Sequence, residues 1–168
     1  MAISDIYEAR SGLYTIVNTT ATPFLSLFGY PSGGTAHRCW VVGVRVGIGA
    51  SSAAAGNTLL FQLARPAAST VNASSVASGV PHDFSASPSI GQVATAYTTP
   101  PTPGLVLWEQ ELPQSTGSAW EEFPPLGYEW GVPALANNAA VPSIGLHMFV
   151  TAGVTTATIV YADLIWSE

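Results

Sequence analysis

The chain has 168 residues, of which only 8% are charged and 48% hydrophobic, and it contains ten acids against four Lys plus Arg. An ordinary soluble domain carries about 25% charged residues. The balance excludes a basic nucleic-acid-binding face, and the length suits one domain. All four bases are arginines, Arg10, Arg38, Arg45 and Arg65, and they share residues 1–65 with Asp5 and Glu8; the other eight acids lie beyond them with no base. With so little charge to solvate it, much of the surface is expected to be covered by protein in the working state.

The opening MAISDIYEAR has neither a basic n-region nor an apolar h-region, so no signal peptide is expected. Residues 1–10 read as an arm, because Ile3, Ile6 and Tyr7 are too few to form a helix face. Residues 10–17 alternate weakly. Residues 22–32, TPFLSLFGYPS, are apolar but broken by Pro23, Gly29 and Pro31. They read as an irregular segment packed on a sheet or against a neighbour.

Residues 38–50 give the clearest strand. Trp40, Val42, Val44, Val46 and Ile48 fall on one side, and Cys39, Val41, Gly43, Arg45, Gly47 and Gly49 on the other. Period-two spacing of β-branched residues marks a half-buried strand. The glycines leave its second face flat enough for another backbone to approach. Residues 57–65 form the next strand, with Leu59, Phe61 and Leu63 inward, and the two are expected to pair as a hairpin. Residues 66–103 are rich in Ala, Ser, Thr and Pro. They are expected to form a long surface loop over about 66–91, with one strand near 92–98.

Residues 105–133 concentrate Trp108, Trp120 and Trp130 with Glu109, Glu111, Glu121, Glu122 and Glu129. Proline cuts this stretch into three short apolar runs, the mark of an all-β domain. Two further alternating runs follow. Ile144, Leu146, Met148 and Val150 make the first; Thr158, Val160, Ala162, Leu164 and Trp166 make the second, and together they read as a closing hairpin. The fold class is therefore all-β: an antiparallel β-sandwich of about 8–10 strands, jelly-roll-like, with an immunoglobulin-like sandwich as the alternative. Residues 1–168 read as a single domain. No run of about 18 apolar residues is present, so no transmembrane helix is expected.

Each residue pattern that could carry chemistry has a simpler structural reading. Cys39 and His37 sit two apart on a strand, but a lone buried cysteine is usually inert filler. His82 and Asp83 make a turn, with the Asp capping its own backbone, rather than two of the three or four ligands that a metal needs. Glu109 with Glu111, and Glu121 with Glu122, supply paired acids, but in an acidic rim such pairs face solvent. There is no GxSxG elbow and no phosphate loop. The sequence reading is therefore no enzyme, no cofactor and no metal. Trp108 and Trp130 could instead form a sugar-stacking platform, or fill a core or an interface.

Residues 92–133 carry a Thr/Ala strand, a TTPPTP step at 98–103, a strand ending in Leu112 and Pro113, a WEEFPP run at 120–125, and a GYEWGVP turn at 127–133. A late strand at 145–150 and a terminal strand ending in Trp166, Ser167 and Glu168 follow. Over this C-terminal half the chain resembles tailed-bacteriophage capsid decoration, or cement, proteins. The resemblance implies a β-sandwich on the outer capsid surface of the virion, commonly a homotrimer, that binds the major capsid protein. From the acidic composition and the missing long apolar run, neither nucleic acid nor membrane is expected as partner. The interface candidates are Ile6, Tyr7, Arg10, Phe24, Leu25, Phe28, Tyr30, Arg45, Trp108 and Trp130. The alternative function is a carbohydrate-binding β-sandwich, on a virion or accessory to an enzyme.

Overall fold

The computed structural model describes residues 5–168, apart from residues 18, 30–37, 54–55, 68–71, 74–76, 84–86, 88, 90, 125–129, 133–144 and 155. Tyr30, His37 and Ile144 therefore lie outside the described residues, as do parts of the expected 66–91 loop.

Two antiparallel sheets face each other. The first contains β1 (Ile6–Arg10), β2 (Tyr14–Ile16), β4 (Cys39–Ser51), β8 (Val80–Pro81), β12 (Ala119–Glu122), β13 (Trp130–Val132) and β15 (Thr158–Ser167). The second contains β3 (Thr22–Gly29), β5 (Thr58–Pro66), β7 (Ala77–Ser78), β9 (Gly91–Ala94), β11 (Pro103–Pro113) and β14 (Leu146–Ala152). A small ribbon pairs β6 (Asn72–Ala73) with β10 (Tyr97–Thr99).

The principal strands in chain order are β1, β3, β4, β5, β11, β12, β14 and β15. In the first sheet β1 neighbours β15, β15 neighbours β4, and β4 neighbours β12. In the second, β3 neighbours β14, β14 neighbours β5, and β5 neighbours β11. Numbered along the chain, these orders are 1-8-3-6 and 2-7-4-5, the double Greek key of a jelly roll. β2 continues the β1 side of β15, and β13 continues the β12 side of β4.

This wrapping corrects both expected hairpins. β4 and β5 lie in different sheets, because β15 occupies one edge of β4, and β12 and β13 the other. β14 and β15 are separated in the same way. A short loop permits a hairpin but does not require one; here each connection crosses from sheet to sheet.

The core fills the space between the sheets. Leu59, Phe61 and Leu63 of β5, Leu146, Met148 and Val150 of β14, and Val160, Ala162, Leu164 and Trp166 of β15 are all buried. Each such large apolar side chain contributes roughly 1.5–3 kcal/mol relative to exposure. β4 departs from simple alternation. Its pairing with β15 skips Val42 and Gly49, so two bulges reset which residues point inward. Val44, Val46 and Ile48 face the core as their spacing predicts, but before the first bulge Cys39 and Val41 face it, while Trp40 is 41% exposed.

The N-terminal segment is also corrected. From Ile6 onward it is a full sheet strand, in register with β15 from Ile6 opposite Ser167 to Arg10 opposite Asp163. Tyr7 is buried and stacks on Trp166 with ring centroids 6.0 Å apart. Likewise residues 22–29 form a strand that pairs with β14, with one register shift at Phe24, and with β9 over Ser26–Gly29; Phe24 through Phe28 are all buried. Within 66–91 the described residues include the short strands β6, β7 and β8.

Removing residues 1–10 uncovers Trp166 and one edge of β15. The expected outcome is loss of the cooperative thermal transition in circular dichroism; a truncated chain that melts like the full one would contradict this placement of β1.

Candidate interaction face

Four charged side chains line up across the outer face of the first sheet. Strand register places Glu121 of β12 opposite Arg45 of β4, Arg45 opposite Asp163 of β15, and Asp163 opposite Arg10 of β1. The signs alternate along the row. Arg10 donates to Asp163 through two parallel bonds, Nε to Oδ1 at 2.7 Å and Nη2 to Oδ2 at 2.8 Å. This is the fork geometry that makes Arg–carboxylate pairs strong. Asp163 has no exposed surface, whereas the Arg10 side chain is 62% exposed. The bond to Asp163 holds the Arg10 guanidinium above its ordinary pKa. Arg45 Nε donates to Glu121 Oε1 at 2.6 Å, and its Nη1 lies 3.6 Å from Glu8 Oε1. His82 Nε2 lies 3.0 Å from Glu8 Oε2, so His82 packs against β1.

The glycines of β4 do not leave the whole face flat. The Tyr161 ring lies on Gly47, and Phe123 with Ile165 covers Gly43. A Cβ at either position would meet a ring atom, so the covering ring would have to move aside. A hollow of about 390 Å³ opens between Arg10, Arg45, Glu121, Asp163, Tyr161 and the 46% exposed Trp120.

Beyond Gly49 the same sheet carries no charge. Leu13 is 74% exposed and Val17 57% exposed. Leu13 Cδ2 and Ile159 Cγ2 lie close to the position of a Gly49 Cβ. A second hollow of about 390 Å³ is bordered there by Thr15, Ala50, Ser51, Ser52, Thr116, Ala157 and Ile159. A third, of about 490 Å³, lies at Tyr14, Thr22, Pro23, Tyr97 and Pro100.

Cys39, Ser26 and His147 are buried. Cys39 is fully buried, and burial, with Glu168 adding to it, pushes its thiol up to about 12. That holds it as the un-nucleophilic thiol. Glu168 Oε1 accepts from Ser89 Oγ at 2.5 Å, from the Gly91 amide at 2.6 Å and from Trp166 Nε1 at 3.1 Å, which ties the chain end to the strand at Gly91. Ser26, His147 and Tyr97 form a hydrogen-bonded chain on the outer side of the second sheet, with Ser26 Oγ 2.5 Å from His147 Nδ1. Ser26 and His147 have no exposed surface, and among the described residues His147 Nε2 has no hydrogen-bond partner. Nothing in the alternation of residues 144–150 reveals this chain, because its members lie 121 and 71 positions apart. Among the described residues no group of three His, Cys, Asp or Glu is placed to hold a metal.

The interface candidates separate into three sets. Tyr7, Phe24, Leu25, Phe28 and Trp108 are buried in the chain's own interior. Trp108 Nε1 donates to Glu122 Oε2 at 2.8 Å, closing one side of the sandwich between β11 and β12. Trp130 is half-buried and packs on the core, so the paired platform of Trp108 and Trp130 does not form. Ile6, Arg10 and Arg45 reach the surface, the two arginines in the charged row. The exposed tryptophans are Trp40 and Trp120, which period-two reading placed with the core side of β4 or left within an acidic stretch.

No protein-family model matches the chain, and no curated protein matches it. Among solved structures the chain is similar to the structure of deformed wing virus carrying the GFP gene. The identity is 14%, over 92% of this chain and 74% of that one, with a TM-score of 0.35. At that score the likeness carries no argument about function.

Two predictions arise from these contacts. Burial pushes the His147 imidazole down to about 3, against 6.5 for the free side chain. The folded chain holds it neutral while the unfolded chain protonates it, so stability is lost as pH falls below about 6.5. H147Q is expected to flatten the dependence of urea-unfolding midpoint on pH between 6.5 and 4; an unchanged slope would contradict this. Replacing Asp163 with Ala leaves Arg10 and Arg45 without their central partner. It is expected to cost about 2–3 kcal/mol, below the full range for a buried pair because Arg10 is largely solvated. Denaturant titration measures it.

Proposed function

We propose that this chain is a virion structural protein that decorates a phage capsid, binding the major capsid protein from outside and stabilising the shell as a homotrimer. The observation that carries this reading is the uncharged zone of the first sheet around Leu13, Val17, Gly49 and Ala50. Soluble monomers seldom expose contiguous apolar surface, and such patches mark protein contacts. Small residues there let a partner's backbone approach closely, and burial of the zone leaves no charge unpaired.

Two further features support the reading. Jelly rolls serve as viral capsid domains, though they also serve as lectins, so the fold supports the class and the surface chooses within it. The sequence of the C-terminal half also resembles that of cement proteins. The role requires no reaction, in keeping with a buried, un-nucleophilic Cys39 and with acids that bind their own chain. A trimer is one closed arrangement compatible with this reading, in which one side of the sandwich meets a different side of the next copy.

The test begins with light scattering of the purified chain, where a trimer gives three times 17.4 kDa. Undecorated shells of the encoding virus are then mixed with the wild-type chain and with an L13D/V17D variant. Wild type is expected to saturate the shells. The variant is expected to bind at least about tenfold more weakly, with an unchanged melting temperature. Wild-type chain that leaves the shells bare would overturn the function; a variant that binds as well as wild type would overturn the docking zone.

A further inference from the structure

The hollow at Trp120 has a chemistry of its own, separate from the uncharged zone. Its four charged groups are Arg10, Arg45, Glu121 and Asp163, two cations and two anions, so its lining carries no net charge. An anionic ligand would meet the exposed Glu121 carboxylate while the buried Asp163 already neutralises Arg10 from beneath, and a cationic one would meet Arg10 and Arg45. An apolar ligand would strip water from the ion pairs and return no hydrogen bonds.

A ligand that suits the lining is neutral overall and offers donors and acceptors side by side. The exposed parts of the row present both kinds of partner. The Glu121 side chain, 46% exposed, accepts; the Arg45 and Arg10 side chains, 36% and 62% exposed, donate. Adjacent hydroxyls on a ring both donate and accept at that spacing. Trp120 adds an apolar, half-exposed aromatic surface at the same hollow, and Tyr161 lies across Gly47 as a second ring. Such rings present an apolar body with a polar rim, to which the C–H face of a sugar is complementary.

The site is also built in advance. Asp163 is fully buried and grips Arg10 by two bonds, and Arg45 is held by Glu121 across the strand pair. Both guanidiniums are therefore oriented before anything binds, which lowers the ordering cost of binding. The volume, about 390 Å³, falls within the lower part of the range for small-ligand sites and suits one or two sugar rings. We infer that this hollow is a binding site for a neutral saccharide, with Trp120 as the stacking surface, Glu121 as acceptor, and Arg10 and Arg45 as donors positioned by Asp163. The inference does not depend on capsid attachment.

The test uses the full chain on an array of oligosaccharides, neutral ones built from glucose, galactose, mannose and N-acetylglucosamine alongside sialylated and sulfated ones. Retention of neutral members is expected, and titration calorimetry with the best of them then gives an affinity. W120A is expected to weaken it at least tenfold and E121Q severalfold, both with unchanged melting temperature. W120A is also expected to attach to shells as wild type does, which separates this site from the docking zone. Retention of no neutral oligosaccharide, retention of anionic ones alone, or a W120A chain that binds as tightly as wild type would each overturn the assignment.

Discussion

A carboxylate with no exposed surface lies in the middle strand of a sheet, and the first sheet is arranged around that constraint. Asp163 is tolerable there because Arg10 grips both its oxygens and Arg45 stands opposite it on the other side. An unpaired buried charge costs several kcal/mol. A one-residue slip of β1 or β4 against β15 would move these arginines to the other face. The pair thus reinforces the register that the core residues set, and it makes the N-terminal strand part of the sheet.

The same constraint divides the outer face. Charge on this face is gathered into one row of paired groups, with Glu8 beside Arg45, which leaves the neighbouring zone at Leu13, Val17 and Gly49 without any. A chain with so few charged residues cannot solvate its whole surface by charge. Here it places them where strands must be held in register and leaves apolar surface elsewhere. The neutral row and the uncharged zone call for different partners, one offering hydrogen bonds and the other apolar area.

Some of this was legible along the chain. Leu59, Phe61 and Leu63, Leu146, Met148 and Val150, and the run from Thr158 to Trp166 announced their inward faces by alternation alone. The all-β class and the jelly-roll expectation followed from short strands bounded by Pro and Gly. The N-terminal strand escaped because its inward pair, Tyr7 and Ala9, is too short and too small to show a period. The segment at Thr22–Gly29 escaped because burial on both sides of a strand leaves no alternation to read. The charged row was invisible for another reason: Arg10, Arg45, Glu121 and Asp163 are far apart in the chain and become neighbours only through antiparallel pairing.

By itself the sequence determined the kind of element and the shortage of charge, since both depend on residue type and local period. The tertiary structure alone decided which strands pair, which residues of β4 face inward past its bulges, and which tryptophans reach solvent. Those outcomes depend on contacts between distant segments. A loop such as residues 52–57 can serve a hairpin or a crossing between sheets equally well until the edges of β4 are taken by β15, β12 and β13. Trp108 and Trp120 have the same residue type in the same acidic stretch, yet one is closed in beneath Glu122 and the other stands over a neutral hollow.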